Sequence, residues 1–207
     1  MEAYPIIRFC DAHTFGDIRS ADKLFRTILE EGIKHLYVVD ARTDSIASFP
    51  DVWLTAARAG LKVAIIGLEA TTNEELAKYE KNSTIRTTEE AIKILHGSGV
   101  WISGNYIINC DYDEKDFDQL ARFVEGHPLF FSGFTILTPF PGTKQYEMLK
   151  DKITIKNLDY YNLTNAVIET KLPEKTFHQK VNELYQVGLT SREKFLSLYK
   201  SPARKEG

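Results

Sequence analysis

The chain has 207 residues, room for one domain with a sizeable core. With 43% hydrophobic and 27% charged residues it has the balance of a globular protein, which excludes a disordered or fibrous chain. Its 26 basic against 29 acidic residues leave a net charge of −3 and give no sign of a nucleic-acid or membrane-surface binder.

Apolar, β-branched runs predict strands at 6–9, 34–39, 62–66, 101–108 and 130–137. After the first, Ala21, Leu24, Phe25, Ile28 and Leu29 keep helical spacing, and Gly32 stands where a helix-ending glycine belongs. A second helix, 52–59, stops at Gly60 in the same way. Thr72-Asn73-Glu74-Glu75 and Thr87-Thr88-Glu89-Glu90 read as capping boxes, in which the threonine accepts from an amide and the glutamate reaches back. The first of these opens a helix over 74–80. Phe117, Leu120, Ala121 and Val124 form the next stripe, ending near Gly126. Beyond about residue 150 the alternation stops. Residues 154–171 read as irregular, with Asp159-Tyr160-Tyr161 exposing aromatic surface. Pro173 then opens a long helix with Phe177, Val181, Leu184, Gly188 and Phe195 on one side. The expected organisation is an α/β part, 1–150, and a C-terminal helical extension, 151–207.

Successive strand starts differ by 28, 28, 39 and 29 residues, the spacing of β-helix-β units that make a parallel sheet. Strands this apolar predict cover on both faces. The turn after the first strand, Phe9-Cys10-Asp11-Ala12-His13-Thr14-Phe15, has no glycine fingerprint, which counts against a dinucleotide fold. Polar residues gather instead where strands end: Asp11, Asp40 with Arg42, Glu69, and Asn109 with Asp111. Functional groups at successive strand ends are the habit of barrels, so the expected architecture is a partial (β/α) TIM-like barrel. The longest apolar runs, such as 63–68, fall far short of the about 18 residues of a membrane span. With no charged-then-apolar opening stretch, the expected location is the cytoplasm.

Asp11, Asp40 and Glu69 at one barrel mouth suit either a divalent metal or the ammonium and hydroxyl groups of a ligand; otherwise each caps the helix that follows. Glu69 stands apart, because Gly67 and Leu68 deliver its carboxylate directly off an apolar strand, where a charge needs a partner. Arg42 either pairs locally with Asp40 or Asp44 or clamps a planar anion. Lys81, twelve residues beyond Glu69, is placed to curl back over the same mouth. Leu137-Thr138-Pro139-Phe140-Pro141-Gly142-Thr143 makes a stiff rim after the fifth strand. The acidic run 111–118 lacks the glycine and glutamate of a calcium loop and reads as a helix's first turn. Of five histidines only His13 lies at a strand end with an acid beside it. Cys10 and Cys110, 100 positions apart, form neither a disulfide framework nor a metal-ligand spacing.

The segments Arg8 to Phe15, Ala41-Arg42-Thr43-Asp44, Ile66-Gly67-Leu68-Glu69-Ala70 and Leu137 to Thr143 together resemble the radical S-adenosylmethionine superfamily. They are most similar to its cobalamin-dependent branch, the anaerobic Mg-protoporphyrin monomethyl ester oxidative cyclases and hopanoid methylases. The resemblance implies a six-unit partial barrel whose first unit binds a four-iron, four-sulfur (4Fe-4S) cluster through CxxxCxxC. There S-adenosylmethionine ligates the unique iron and one-electron cleavage yields a 5′-deoxyadenosyl radical. Five strands and no such motif imply that this chain carries units two to six and is a fragment, inactive alone, of an enzyme acting on a tetrapyrrole or lipid-like small molecule. The cluster-binding unit and the cobalamin-binding segment would lie upstream. A first strand left with an open edge would invite self-association. By position the resemblance gives cofactor-binding roles to Asp11, Asp40 or Arg42, Glu69, Lys81, Asn105, and Thr138 beside Leu137. Two other readings rest on the residues alone: a divalent-metal-dependent lyase or aldolase-type barrel, and a non-catalytic binding module.

Overall fold

A computed structural model describes residues 5–78 and 83–200. Five parallel strands, β1 (Ile6–Arg8), β2 (Leu36–Ala41), β3 (Leu61–Glu69), β4 (Trp101–Ile108) and β5 (Phe131–Ile136), hydrogen-bond in sequence order, the strand arrangement of a half-barrel. Each predicted strand is present. β1 has only three residues, since its predicted continuation at Phe9 donates one bond to Val38 and then turns away.

The intervening helices cover one side. α1 (Ile18–Glu30) starts at Asp17, whose side chain accepts from the amide of Arg19, and ends before Gly32 at φ 64. α2 (Thr43–Ser48) leads into α3 (Pro50–Arg58), with Pro50 in its first turn. At Gly60, φ 108, any Cβ would collide with the His35 carbonyl, so glycine is required there. Thr72 caps α4 (Asn73–Lys78) through the amide of Glu75, as the capping box predicts. The second box is displaced by one turn. α5 (Ile85–Gly97) starts at Thr84, which accepts from the Thr87 amide, and Thr87 to Glu90 lie inside the helix. α6 (Glu114–Gly126) opens with a reciprocal capping box between Asp113 and Asp116, the role expected for the acidic run.

β5 is followed by α7 (Lys144–Leu149), an irregular return, and α8 (Glu174–Lys200). α8 packs on α6 and β5 and buries Phe177, Val181 and Leu184, while Phe195 is buried beside Trp101 and Phe130, the stripe read from its sequence. Two long-range hydrogen bonds fasten it: Tyr185 donates to the Phe134 carbonyl (2.7 Å) and Ser191 to the Val124 carbonyl (3.0 Å). The return segment also belongs to the same apolar core. Tyr161, expected on the surface, is buried and its hydroxyl donates to Ile155, while Tyr160 stays exposed.

The expectation of cover on both sheet faces is corrected. Val39, Ala64, Ile66, Ile102 and Ile108, on the helix side, have no meaningful exposure, whereas Val38, Asp40, Val63, Ile65 and Ser103, on the other, are half-buried. In a closed barrel the inner face is covered by the opposite strands; five strands close only part of the ring.

Candidate functional site at the strand ends

Strand register collects the inner-face residues into rows. Asp40, Ile65, Ser103 and Phe131 form one; Gly67, Asn105 and Gly133 form the next, one step closer to the strand ends. Asn105 is thus flanked by two glycines. A Cβ on Gly133 would sit 2.6 Å from the Asn105 side-chain oxygen, so the absence of a side chain there is what lets Asn105 lie across its neighbour. A glycine inside a strand commonly marks close approach of another group, a signal that the sequence reading passed over at Gly67 and Gly133.

Glu69 ends β3 in an unusual conformation. Its φ is 62, the register of β3 against β4 shifts between Gly67 and Glu69, and the Ala70 amide closes a three-residue turn on the Leu68 carbonyl at 2.7 Å. A non-glycine residue pays about 1 kcal/mol or more for such a backbone, and strain of this kind gathers at ligand sites. The turn leaves Glu69 half-buried at the end of β3.

The remaining predicted residues divide. Asp40 lies on the inner face and accepts from Arg8 at 3.1 Å. Its backbone carbonyl receives the Thr14 amide, which draws the loop after β1 over the end of β2. In that loop Asp11 is exposed, and no side-chain bond joins it to Asp40 or Glu69. Arg42 follows the local reading: it grips Asp44 with two bonds, 3.1 and 2.7 Å, which raise its own pKa and hold the Asp44 carboxyl below its usual range. His13 lies near this pair. Burial, with Arg42 assisting and Asp44 opposing, lowers its pKa, and its buried Nδ1 has no hydrogen-bond partner. Thr138 is buried, and its hydroxyl is spent on the Ile136 carbonyl. Lys81 lies outside the described residues.

The three carboxylates therefore make no metal centre: among the described residues no group of three acidic, histidine or cysteine side chains is arranged to hold a metal ion. Neither cysteine suits an iron–sulfur cluster in this chain. Cys10 is exposed in the loop after β1, whereas Cys110 is buried after β4, where desolvation and nearby Asp111 push its thiol up to about 12. Beyond the ends of β4 and β5 a separate cavity of about 650 Å³ opens between the Asn109 to Asp111 turn and α7.

No protein-family profile matches the chain. It is 24% identical over 183 residues to the hopanoid C-3 methylase of Methylococcus capsulatus, covering 88% of this chain and 35% of that protein. It is 31% identical over 153 residues to the bacteriochlorophyllide d C-8(2)-methyltransferase of Chlorobaculum tepidum, covering 70% of this chain and 34% of that one. The chain thus spans about a third of the length of these relatives. Among solved structures, the radical S-adenosylmethionine methyltransferase TsrM from Kitasatospora setae, with cobalamin and an iron–sulfur cluster bound, superposes with a TM-score of 0.63 at 14% identity, over 88% of this chain and 43% of TsrM. Methylornithine synthase (PylB) superposes at 0.57 and 13% identity, over 90% of this chain and 53% of its own. The chain is a relative, aligned over about a third of their length, of the hopanoid and bacteriochlorophyllide methyltransferases, built on the half-barrel fold of the radical S-adenosylmethionine enzymes.

Proposed function

We propose that this chain is the S-adenosylmethionine-binding part of a cobalamin-dependent radical S-adenosylmethionine methyltransferase, with a tetrapyrrole or lipid-like small molecule as substrate. The observation that carries the reading is the strained, half-buried Glu69 beside the Gly67–Asn105–Gly133 row, on an inner face that helices leave open. Methyl transfer is favoured over oxidative cyclisation by the relatives. Those matched at 24% over 88% and 31% over 70% of the chain are named a methylase and a methyltransferase, whereas a cyclase matches at 23% over 55%. A cytoplasmic location and self-association through the β1 edge belong to the same reading.

S-adenosylmethionine, when bound and reductively cleaved, supplies a carbon-centred radical. The residues of this chain bind and orient. Glu69 accepts from ribose hydroxyls or the methionine ammonium, Asn105 reaches across Gly133 to a polar edge of the nucleoside, and Asp40 adds negative charge toward the ammonium end. Asp11 contributes the same charge from the loop above, Arg42 is assigned to the methionine carboxylate together with Lys81, which lies outside the described residues, and Thr138 with Leu137 forms the wall beside the base. The cluster does not fit the two cysteines present, so in this reading its ligands come from residues outside these 207.

Equilibrium dialysis of the chain against radiolabelled S-adenosylmethionine tests the assignment without any cluster. Binding is expected, with Glu69→Gln and Asn105→Ala each weakening it about tenfold, the loss expected for one hydrogen bond to a charged or buried group. Wild-type affinity in both variants, or no binding at all, would sink the reading.

A further inference from the structure

Below the Gly67–Asn105–Gly133 row the inner face changes character. The next row toward the strand starts holds Asp40, Ile65, Ser103 and Phe131, and the one after it Arg8, Val38, Val63 and Trp101. Ile6 and Leu36 finish the face on β1 and β2. The apolar members are incompletely covered. Ile6 is 68%, Phe131 49% and Leu36 39% exposed, and Val38, Val63, Ile65 and Trp101 are half-buried. Apolar surface left open in one continuous floor, rather than scattered, marks a binding surface. At about 3.3 Å per strand residue and about 4.8 Å per strand, the floor runs about 13 Å from Leu36 to Asp40 and about 19 Å from β1 to β5. The charges beside it are already matched. Arg8 pairs with Asp40 at 3.1 Å, and Lys62, the extra residue where β3 slips against β2, sets its ammonium 4.6 Å from the centre of the Trp101 ring. Glu69 stands at the far end of β3. Two cations and two carboxylates leave no net charge for a ligand to neutralise.

We infer that the substrate's body is an uncharged, apolar ring system lying flat on this floor, which selects the lipid-like of the two substrate classes and not a carboxylate-bearing tetrapyrrole. Ile65 stands two residues, about 7 Å, below Gly67, so a body on the floor lies within reach of a cofactor on the glycine row. A carboxylate carried onto the floor would lose its water and find both cations engaged. The half-barrel curves around this face, which admits a thin body and not the sheet of another copy. The inference rests on the proposed function in calling the occupant a substrate; its uncharged, apolar chemistry follows from the floor.

Fluorescence titration of the 207-residue chain with 1-pyrenemethanol and 1-pyrenecarboxylate at neutral pH tests this, because the probes share a ring system and differ in charge. The uncharged probe is expected to bind about tenfold tighter. The double variant Leu36→Gln/Phe131→Gln should weaken pyrenemethanol about tenfold, and Val63→Thr, which keeps the side chain's shape, should repeat part of that loss. Leu158→Gln, equally apolar and exposed but in the return segment away from the sheet, should leave binding unchanged. Equal or tighter binding of the carboxylate, wild-type affinity in both floor variants, a loss as large in Leu158→Gln, or no binding of pyrenemethanol would each overturn the inference. So would light scattering in which the chain dimerises as probe binding disappears, since a second copy would then be the occupant. A chain that takes pyrenemethanol on the floor yet ignores S-adenosylmethionine keeps the apolar site and loses the enzyme reading. The reverse pattern does the opposite.

Discussion

The two faces of the one sheet obey different rules. On the helix side, Val39, Ala64, Ile66 and Ile102 are sealed, and the aromatic rings of Phe15 and Trp53 stack at 3.8 Å above them. On the inner side the same strands present Asp40, Ser103 and Asn105, a charged pair, and a row lightened by two glycines. One face is selected for packing density and the other for what can approach it. A strand's alternation therefore reports two pressures at once, and only one of them is stability.

Neighbouring isoleucines offer the sharpest way to break this contrast. Ile66 points into the sealed side with no exposure, and Ile65 lies on the open face. Ile66→Ala should cost about 2–5 kcal/mol in urea unfolding, and Ile65→Ala less than half of that. Equal losses would mean that the inner face is as closely packed as the outer. A smaller effect comes from Glu69. Replacing it by glycine or by alanine removes the same carboxylate, but only glycine relieves φ 62. Glu69→Gly should therefore be more stable than Glu69→Ala by about 1 kcal/mol. Identical stabilities would show that the turn relaxes freely and stores nothing.

The smallest effect is a pH dependence centred on His13. Its folded pKa is lowered, chiefly by burial, so the unfolded chain takes up the proton first. Its contribution to stability is complete above the unfolded value of about 6.5 and declines as the pH falls below it. His13→Gln should flatten the unfolding midpoint between about pH 7 and pH 5. Asp44, also lowered, acts only in the carboxylate range and leaves that window undisturbed. An unchanged slope in the variant would assign the dependence to other groups.

Strand positions and the parallel order were legible because apolar runs recur at the spacing of β-helix-β units, and helix ends because Gly32 and Gly60 take the positive φ that glycine accepts most readily. Thr84 and Thr87 lie one turn apart and offer the same hydroxyl, so local pattern could not choose the cap; the turn's approach to α4, where Ile85 donates to Asn73, favours Thr84. The fork between Arg42 and Asp44 was readable from two residues of separation. Glu69's backbone was not, because its φ is imposed by the shift in register against β4.

The two rims of the sheet are finished differently, and this bounds how molecules can stack. β1 exposes Ile6 and has no outer strand among the described residues, whereas the outer side of β5 is occupied, its Ile136 amide being taken by the Leu163 carbonyl and its flank by α8. Head-to-tail growth of a filament would need a donor rim and an acceptor rim on every copy. Among the described residues only the β1 rim stands open, so pairing of two copies through it would leave no rim for a third.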